Sequence, residues 1–422
     1  MDNITHTIIG LAVGEVIYRS VAVDPLVEPV GTAETTRHRL LLTACAAASN
    51  FPDLDLVLVK LLPDPLGYLL QHRGHTHTLL LEIPQALLLC ALLWLLWPAA
   101  RRLLQASSQA RTGLALAIVG GFLLHIGMDF LNSYGVHPFY PFDARWRFGD
   151  LVFIVEPLFW VAAGVPLLMT VRRRPLRWGW AIGLTVVLAA AAANGVLHWA
   201  SLVLLATIGL VTAAASTRVK DKRESKVKNQ VNSLAGLALG LAVCVGFVGV
   251  QAAASNAARA MLQDEMALRA PGAHLVDAAL TAYPANPFCW NFAAIEVGAS
   301  GDAYHVRRGV LSLAPALLPV AACPSGLTGA MQAAPAQAIA VLSDDAGSLS
   351  LLRQRAASDC WLSGWLRFAR IPLLHGAIAS DLRFSNALAP NFTTIDLDRY
   401  NGHDCPAPLP AWGMPRADLL AR

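Results

Sequence analysis

The chain is short of charge. Asp, Glu, Lys and Arg make up 14% of its 422 residues, against about 25% in an average soluble protein. That scarcity excludes a disordered polyelectrolyte and a charge-rich coiled coil. A basic excess is missing too. The 32 Lys and Arg face 28 Asp and Glu, for a net charge of +4, so no nucleic-acid partner is expected. Closely spaced cysteine pairs are absent, which excludes a CxxC-type zinc site. The first apolar stretch has no basic n-region and no small-residue cleavage site, so it reads as retained structure rather than a removed signal peptide. No internal repeat is visible.

What the chain has is apolar length. Hydrophobic residues reach 55% and the mean hydropathy is +0.50. A membrane-crossing helix needs about 20 mostly apolar residues. Runs at 79–99, 113–131, 152–171, 178–196, 197–215 and 233–254 meet that need. Shorter runs at 4–18 and 40–48 bring the expected count to about seven to eight spans. The expected fold is an all-α polytopic membrane helical bundle with a C-terminal α+β domain.

Basic residues orient such a bundle. Arg101, Arg102 and Arg111 share one loop, Arg172, Arg173, Arg174 and Arg177 a second, and Arg218, Lys220, Lys222, Arg223, Lys226 and Lys228 a third. The loops alternate with the spans so that all three fit the cytoplasm as topology anchors. The opposite, extracytoplasmic face then receives 51–78, 132–151 and everything after about 255.

From 256 to 422 the apolar runs shorten and Pro and polar residues return, as in an independent domain. Residues 377–384 and 392–399 alternate like strands, whereas 335–342 and 348–357 read as helical. Cys45, Cys90 and Cys244 fall in apolar runs. Cys289, Cys323, Cys360 and Cys405 fall in this domain, where they permit two disulfides in any of three connectivities.

The chemistry lies in the first 160 residues. Asp2 and His6 stand at the start (MDNITH), followed by Asp53 and Asp55 (FPDLD), by His72, Arg73, His75 and His77 (HRGHTHT), and by His125 and Asp129 (HIGMD). The segment 134–148 (YGVHPFYPFDARWRF), Asp150 and Glu156 come next. A carboxylate at the centre of a membrane helix costs about 2.5–3.5 kcal/mol on insertion scales, so this cluster needs a common cause. On the expected topology His6, Asp53, Asp55, His72, His77 and Asp129 all arrive at one membrane face. His125 and Asp129, four apart, project from one helix face.

Repulsion between the carboxylates calls for cations. Imidazole and carboxylate are the ligands of zinc, and also of manganese or iron. His6, Asp53, Asp55, His72, His77, His125 and Asp129 are the candidate ligands, enough for one or two ions. Asp55 is alternatively the carboxylate that orients an attacking water. Arg73 and Arg147 are candidate phosphate clamps, because guanidinium offers a planar fork. Glu156 stands where it caps the helix that Pro157 begins.

The ordered set resembles the YdjM-like family of LexA-binding, inner-membrane-associated metal-dependent hydrolases. The resemblance is carried by His6, Pro52-Asp53-Leu54-Asp55, His72-Arg73-Gly74-His75-Thr76-His77, His125…Asp129 and Gly135-Val136…Pro141…Arg145-Trp146-Arg147-Phe148. It covers about 1–160; His75 occupies a variable position of the pattern, and Asn132-Ser133 stands where a Thr-Pro often follows the aspartate. The resemblance implies a hydrolase core over 1–160; the additional helices at 161–255 and the extracytoplasmic domain at 256–422 look like an extension carried by longer members, and their role does not follow from it. A more distant likeness to the zinc-dependent phospholipase C group implies phosphodiester chemistry. The expected substrate is a phosphoester of a membrane lipid or lipid-linked intermediate, in a bacterial inner membrane. The alternatives are a metal-ion or proton transporter, and a membrane scaffold or sensor with a structural metal.

Overall fold

A computed structural model describes residues 1–23, 31–171, 173–217, 226–298, 301–327, 337–384 and 390–421. The expected anchors Arg172, Arg218, Lys220, Lys222 and Arg223 lie outside these residues. The helices in chain order are α1 (Asn3–Ser20), α2 (Thr32–Ala48), α3 (Leu66–Gln71), α4 (Leu79–Leu96), α5 (Pro98–Ala106), α6 (Ser108–Phe130), α7 (Pro157–Thr170), α8 (Arg174–Ala193), α9 (Trp199–Ser216) and α10 (Lys226–Arg269). Among the described residues, six helical stretches are long and apolar enough to cross a membrane. α7, at 14 residues, is a shorter apolar helix; a count of seven would require either α1 or α7 to cross as well, and a count of eight both. On α8 no residue is buried, and Trp180, Ile182, Val186 and Val187 stand exposed. Apolar side chains turned outward over a whole helix suit lipid rather than water.

The chain divides into two compact units, residues 1–54, 79–129 and 154–249 in one, and residues 55–78, 130–153 and 250–422 in the other. The first is helical. α1 packs on α2 and α7, and Leu40, Leu41, Cys45, Ala48, Ala117, Ile118 and Phe122 form a buried core. The approach is close because the contacts are made by glycine. A Cβ on Gly10 would lie 2.7 Å from Ser49 Oγ, and one on Gly121 would lie 2.7 Å from the Cys45 carbonyl oxygen. Small residues at such crossings are how membrane helices gain packing without a hydrophobic drive between them.

The second unit is built on an antiparallel meander, β1 (His274–Tyr283), β2 (Asn286–Val297), β3 (Ala303–Ser312) and β4 (Ile339–Ser348), in that spatial order. A smaller sheet follows, β5 (Pro372–His375), β6 (Ile378–Asp381) and β7 (Ile395–Asp396), with α11 (Leu349–Ser358) and α12 (Cys360–Trp365) between the two sheets in sequence. Its core joins Leu66, Leu69, Tyr134 and Trp146 to Tyr304, Trp365, Phe368 and Ile395. Segments 55–78 and 130–153 are thus folded with the C-terminal sheets.

The expected helix at 348–357 is α11. Of the one expected at 335–342, residues 335 and 336 lie outside the described residues and the rest is overturned: from Ile339 onward the chain is β4, paired to β3 from Leu311↔Ile339 to Ala303↔Ser348. The expected strand at 377–384 is β6, and within 392–399 only Ile395–Asp396 pairs, the chain then turning into a 3-10 helix at Leu397–Tyr400. Cysteines close the pairs Cys289–Cys323 and Cys360–Cys405, one of the three possible connectivities. Cys45, Cys90 and Cys244 are unpaired thiols.

Candidate metal centre

In the helical unit the site begins with a cap. The Asp2 side chain accepts from the Ile4 and Thr5 backbone N–H groups at 3.0 Å, satisfying two of the donors a helix start leaves unpaired. This sets His6 in the first turn of α1, fully buried. Its ring stacks on His125 with centroids 4.2 Å apart, and its Nε2 lies 3.3 Å from Asp129 Oδ1. The α-amino group of Met1 also contacts Asp129.

His125 is held from behind. Its Nδ1 donates to the Ser49 carbonyl at 2.8 Å, where a nitrogen must carry the proton, so the neutral ring presents its lone pair at Nε2. That atom lies 3.7 Å from Asp53 Oδ1 and 3.6 Å from Asp129 Oδ2. Ligand atoms of Asp53, His125 and Asp129 all fall within 4.8 Å of one another. Asp53 is 7% exposed and Asp129 1%, and the Met1 ammonium already stands against Asp129; carboxylates so poorly hydrated gain from further positive charge beside them. One imidazole with its tautomer fixed and two buried carboxylates are a nitrogen–oxygen set that a divalent metal fits. The structure therefore holds a buried His/Asp cluster able to bind a metal ion.

The second unit carries its own set. Asp55 Oδ1 accepts from His72 Nδ1 at 3.0 Å, while Oδ2 accepts from the Arg73 backbone N–H and the Thr76 hydroxyl, both at 2.9 Å. His77 Nδ1 lies 3.2 Å from the same oxygen. The HRGHTH turn wraps round one carboxylate, and Arg73 adopts φ +56° to do so, a conformation that costs a non-glycine residue energy. Orienting imidazoles through Nδ1 is what carboxylates behind metal-binding histidines do. His75 stands apart, its ring 4.7 Å from that of Trp412.

Arg73 is buried, donates to Asn132 Oδ1 at 3.0 Å and lies over the Tyr134 ring at 4.8 Å. Arg147 is directed to Asp143 Oδ2 at 2.6 Å. In the helical unit Glu156 accepts from the Leu158 N–H at 3.0 Å and caps α7. Asp150 pairs bidentately with Arg370, both bonds at 2.9 Å. Sequence reasoning missed the Ser49 carbonyl, Asn132 and Arg370. The first is backbone and leaves no signal in residue type, and the other two become meaningful only through long-range contacts.

No solved structure matches the chain. The uncharacterized protein YfhP of Bacillus subtilis is 28% identical over 162 residues, which is 38% of this chain and 44% of YfhP. The chain thus spans less than half of that relative's length. The YdjM inner membrane protein family matches over residues 1–214, beyond the 1–160 that the motifs reach. A match over half the chain, with the family's His and Asp gathered in buried clusters, decides membership: the chain belongs to the YdjM inner membrane protein family.

Proposed function

We propose that the protein is a membrane-bound, metal-dependent hydrolase that cleaves a phosphoester of a membrane lipid or lipid-linked substrate. The observation that carries the reading is His125, its Nδ1 committed to the Ser49 carbonyl and its Nε2 set between two buried carboxylates. In the proposal His6, Asp53, His125 and Asp129 hold the metal, zinc by ligand type with manganese or iron as alternatives. His72 and His77 join them from the sequence pattern, in which one residue separates Asp53 from Asp55. A bound divalent ion supplies acidified water and a counter-charge for phosphoryl oxygens.

The protein's own groups do the rest. Asp55 orients His72 and His77 and is placed to hold a proton-bearing partner. Arg73 takes the clamp role, its fork fixed by Asn132; Arg147, engaged by Asp143, is left a weaker claim to it. Burial keeps water out and strengthens each charge contact. The proposed site and the C-terminal domain face the extracytoplasmic side of a bacterial inner membrane. Basic loops on the other face support this orientation, and so do the two disulfides, which persist in oxidising compartments.

Purified protein is expected to contain one or two equivalents of transition metal, lost in His125→Ala and Asp129→Ala, and to release phosphate or headgroup from lipid extracts. Chelator should abolish the release and added metal restore it. Metal retained by both variants would refute the ligand assignment; metal uptake into proteoliposomes without hydrolysis would favour the transporter.

A further inference from the structure

The family match ends at residue 214, and nothing so far assigns work to the last part of the chain. Its contacts within the second unit do. The Trp412 indole N–H donates to the Leu70 carbonyl at 2.8 Å, near the end of α3 and just before the HRGHTH turn. The same ring lies 4.7 Å from that of His75, and a Cβ on Gly74 would meet it at 3.2 Å. Trp412 is 3% exposed, so its donor has no water to fall back on.

The segment that carries Trp412 is itself tied down. Cys405 is bonded to Cys360, the Arg367 guanidinium donates to the Pro410 carbonyl, and the Gly413 N–H donates to the Ala144 carbonyl at 2.9 Å. The Tyr400 hydroxyl donates to the Asp64 carbonyl, ahead of α3. α3 is therefore held at both ends by residues of the C-terminal region, at Asp64 ahead of it and at Leu70 where it runs into the HRGHTH turn.

We propose that residues 400–413 act as a strap that fixes the HRGHTH turn, with Trp412 as its positioning residue. The turn's value lies in ring orientation, since His72 and His77 are set by one carboxylate and a tilt of the backbone before them would misdirect both. Partners that orient metal-binding histidines change metal affinity by about 10–100-fold when removed. The inference rests on the proposed metal reading for its consequence, but not for its geometry.

The test is Trp412→Phe in the full-length, detergent-solubilised chain, which keeps an aromatic ring in place and removes the N–H donor. Hydrogen exchange at amides 70–77 is expected to quicken about tenfold, the worth of one buried hydrogen bond. Exchange across β2 and β3 should stay as in wild type. In zinc titrations the affinity should fall about tenfold with the thermal midpoint little changed, a split that a merely structural role would not give. Wild-type exchange at 70–77 in both Trp412→Phe and Trp412→Ala would overturn the proposal, as would quickening spread evenly over the sheet. A wild-type chain that binds no zinc would fail the metal reading and leave the exchange comparison to decide this one.

Discussion

The Ser49 carbonyl and the His125 Nδ1–H form a hydrogen bond of 2.8 Å that joins the end of α2 to the start of the His125–Asp129 turn of α6. It determines which imidazole nitrogen faces Asp53 and Asp129. Because the acceptor is backbone, no substitution at Ser49 removes it. With His125 in place, a change in helix spacing is what breaks it.

Gly121→Ala tests that spacing. The added methyl would stand 2.6 Å from Ala48 Cβ and 2.7 Å from the Cys45 carbonyl, so α6 must shift from α2. The expected cost is about 1–3 kcal/mol, read as a lowered thermal midpoint in detergent, together with reduced bound metal. Gly120→Ala, where a Cβ meets nothing within 4 Å, should leave both unchanged.

Asp55→Asn should weaken metal binding without unfolding the protein. The amide keeps an acceptor for some of the Arg73, Thr76, His72 and His77 donors but loses the charge that favours Nδ1–H on both rings. Metal affinity is expected to fall about 10–100-fold, measured by competition with a chelating dye. Unchanged affinity would remove Asp55 from the centre.

Stability should depend on acid through Asp277. Burial disfavours its charge, but Arg370, Arg416 and Arg259 outweigh burial and bring the pKa from 3.8 down to about 2. Arg370 binds it at 2.8 Å and Arg416 at 3.2 Å. A pKa depressed by folding contributes stability that is complete above the unfolded value and is lost as pH falls through the folded one. The second unit should therefore hold steady above about pH 5 and lose about 2 kcal/mol between about pH 4 and 2. In Asp277→Asn, denaturant midpoints at pH 6 and pH 3 should lie closer together than in wild type.

The two disulfides differ in access. Cys405 is exposed, whereas Cys289 and Cys323 are buried. After mild reduction of spheroplasts, a membrane-impermeant maleimide should label Cys360 and Cys405 before the other pair. A reporter fused after Arg422 should be active outside the cytoplasm. Labelling only after lysis would place this domain on the cytoplasmic side.

The helical unit was legible because membrane spans announce themselves. Residues 113–131 form one apolar run interrupted by His125 and Asp129, and α6 runs Ser108–Phe130. Spacing of four put both side chains on one face before any coordinates. The meander was not legible. β1 (HLVDAALTAY) carries three Ala and two Leu, good helix formers, and pairing with β2 overrides that preference. Two strands were expected where β6 and β7 lie, yet none over 274–312. Four cysteines permit three pairings, and choosing among them takes the fold. The partnership of Asp150 with Arg370 spans 220 residues, a separation that no motif reports.

The second unit is assembled from pieces that leave the ribosome far apart in time. Leu70 and Trp412 are separated by 342 residues, which at about 5–20 residues per second means tens of seconds between their syntheses. Throughout that interval the histidine-bearing turn has been made but its indole clasp has not. A nascent protein halted before Trp412 would carry every motif residue and still lack the indole proposed to close around them.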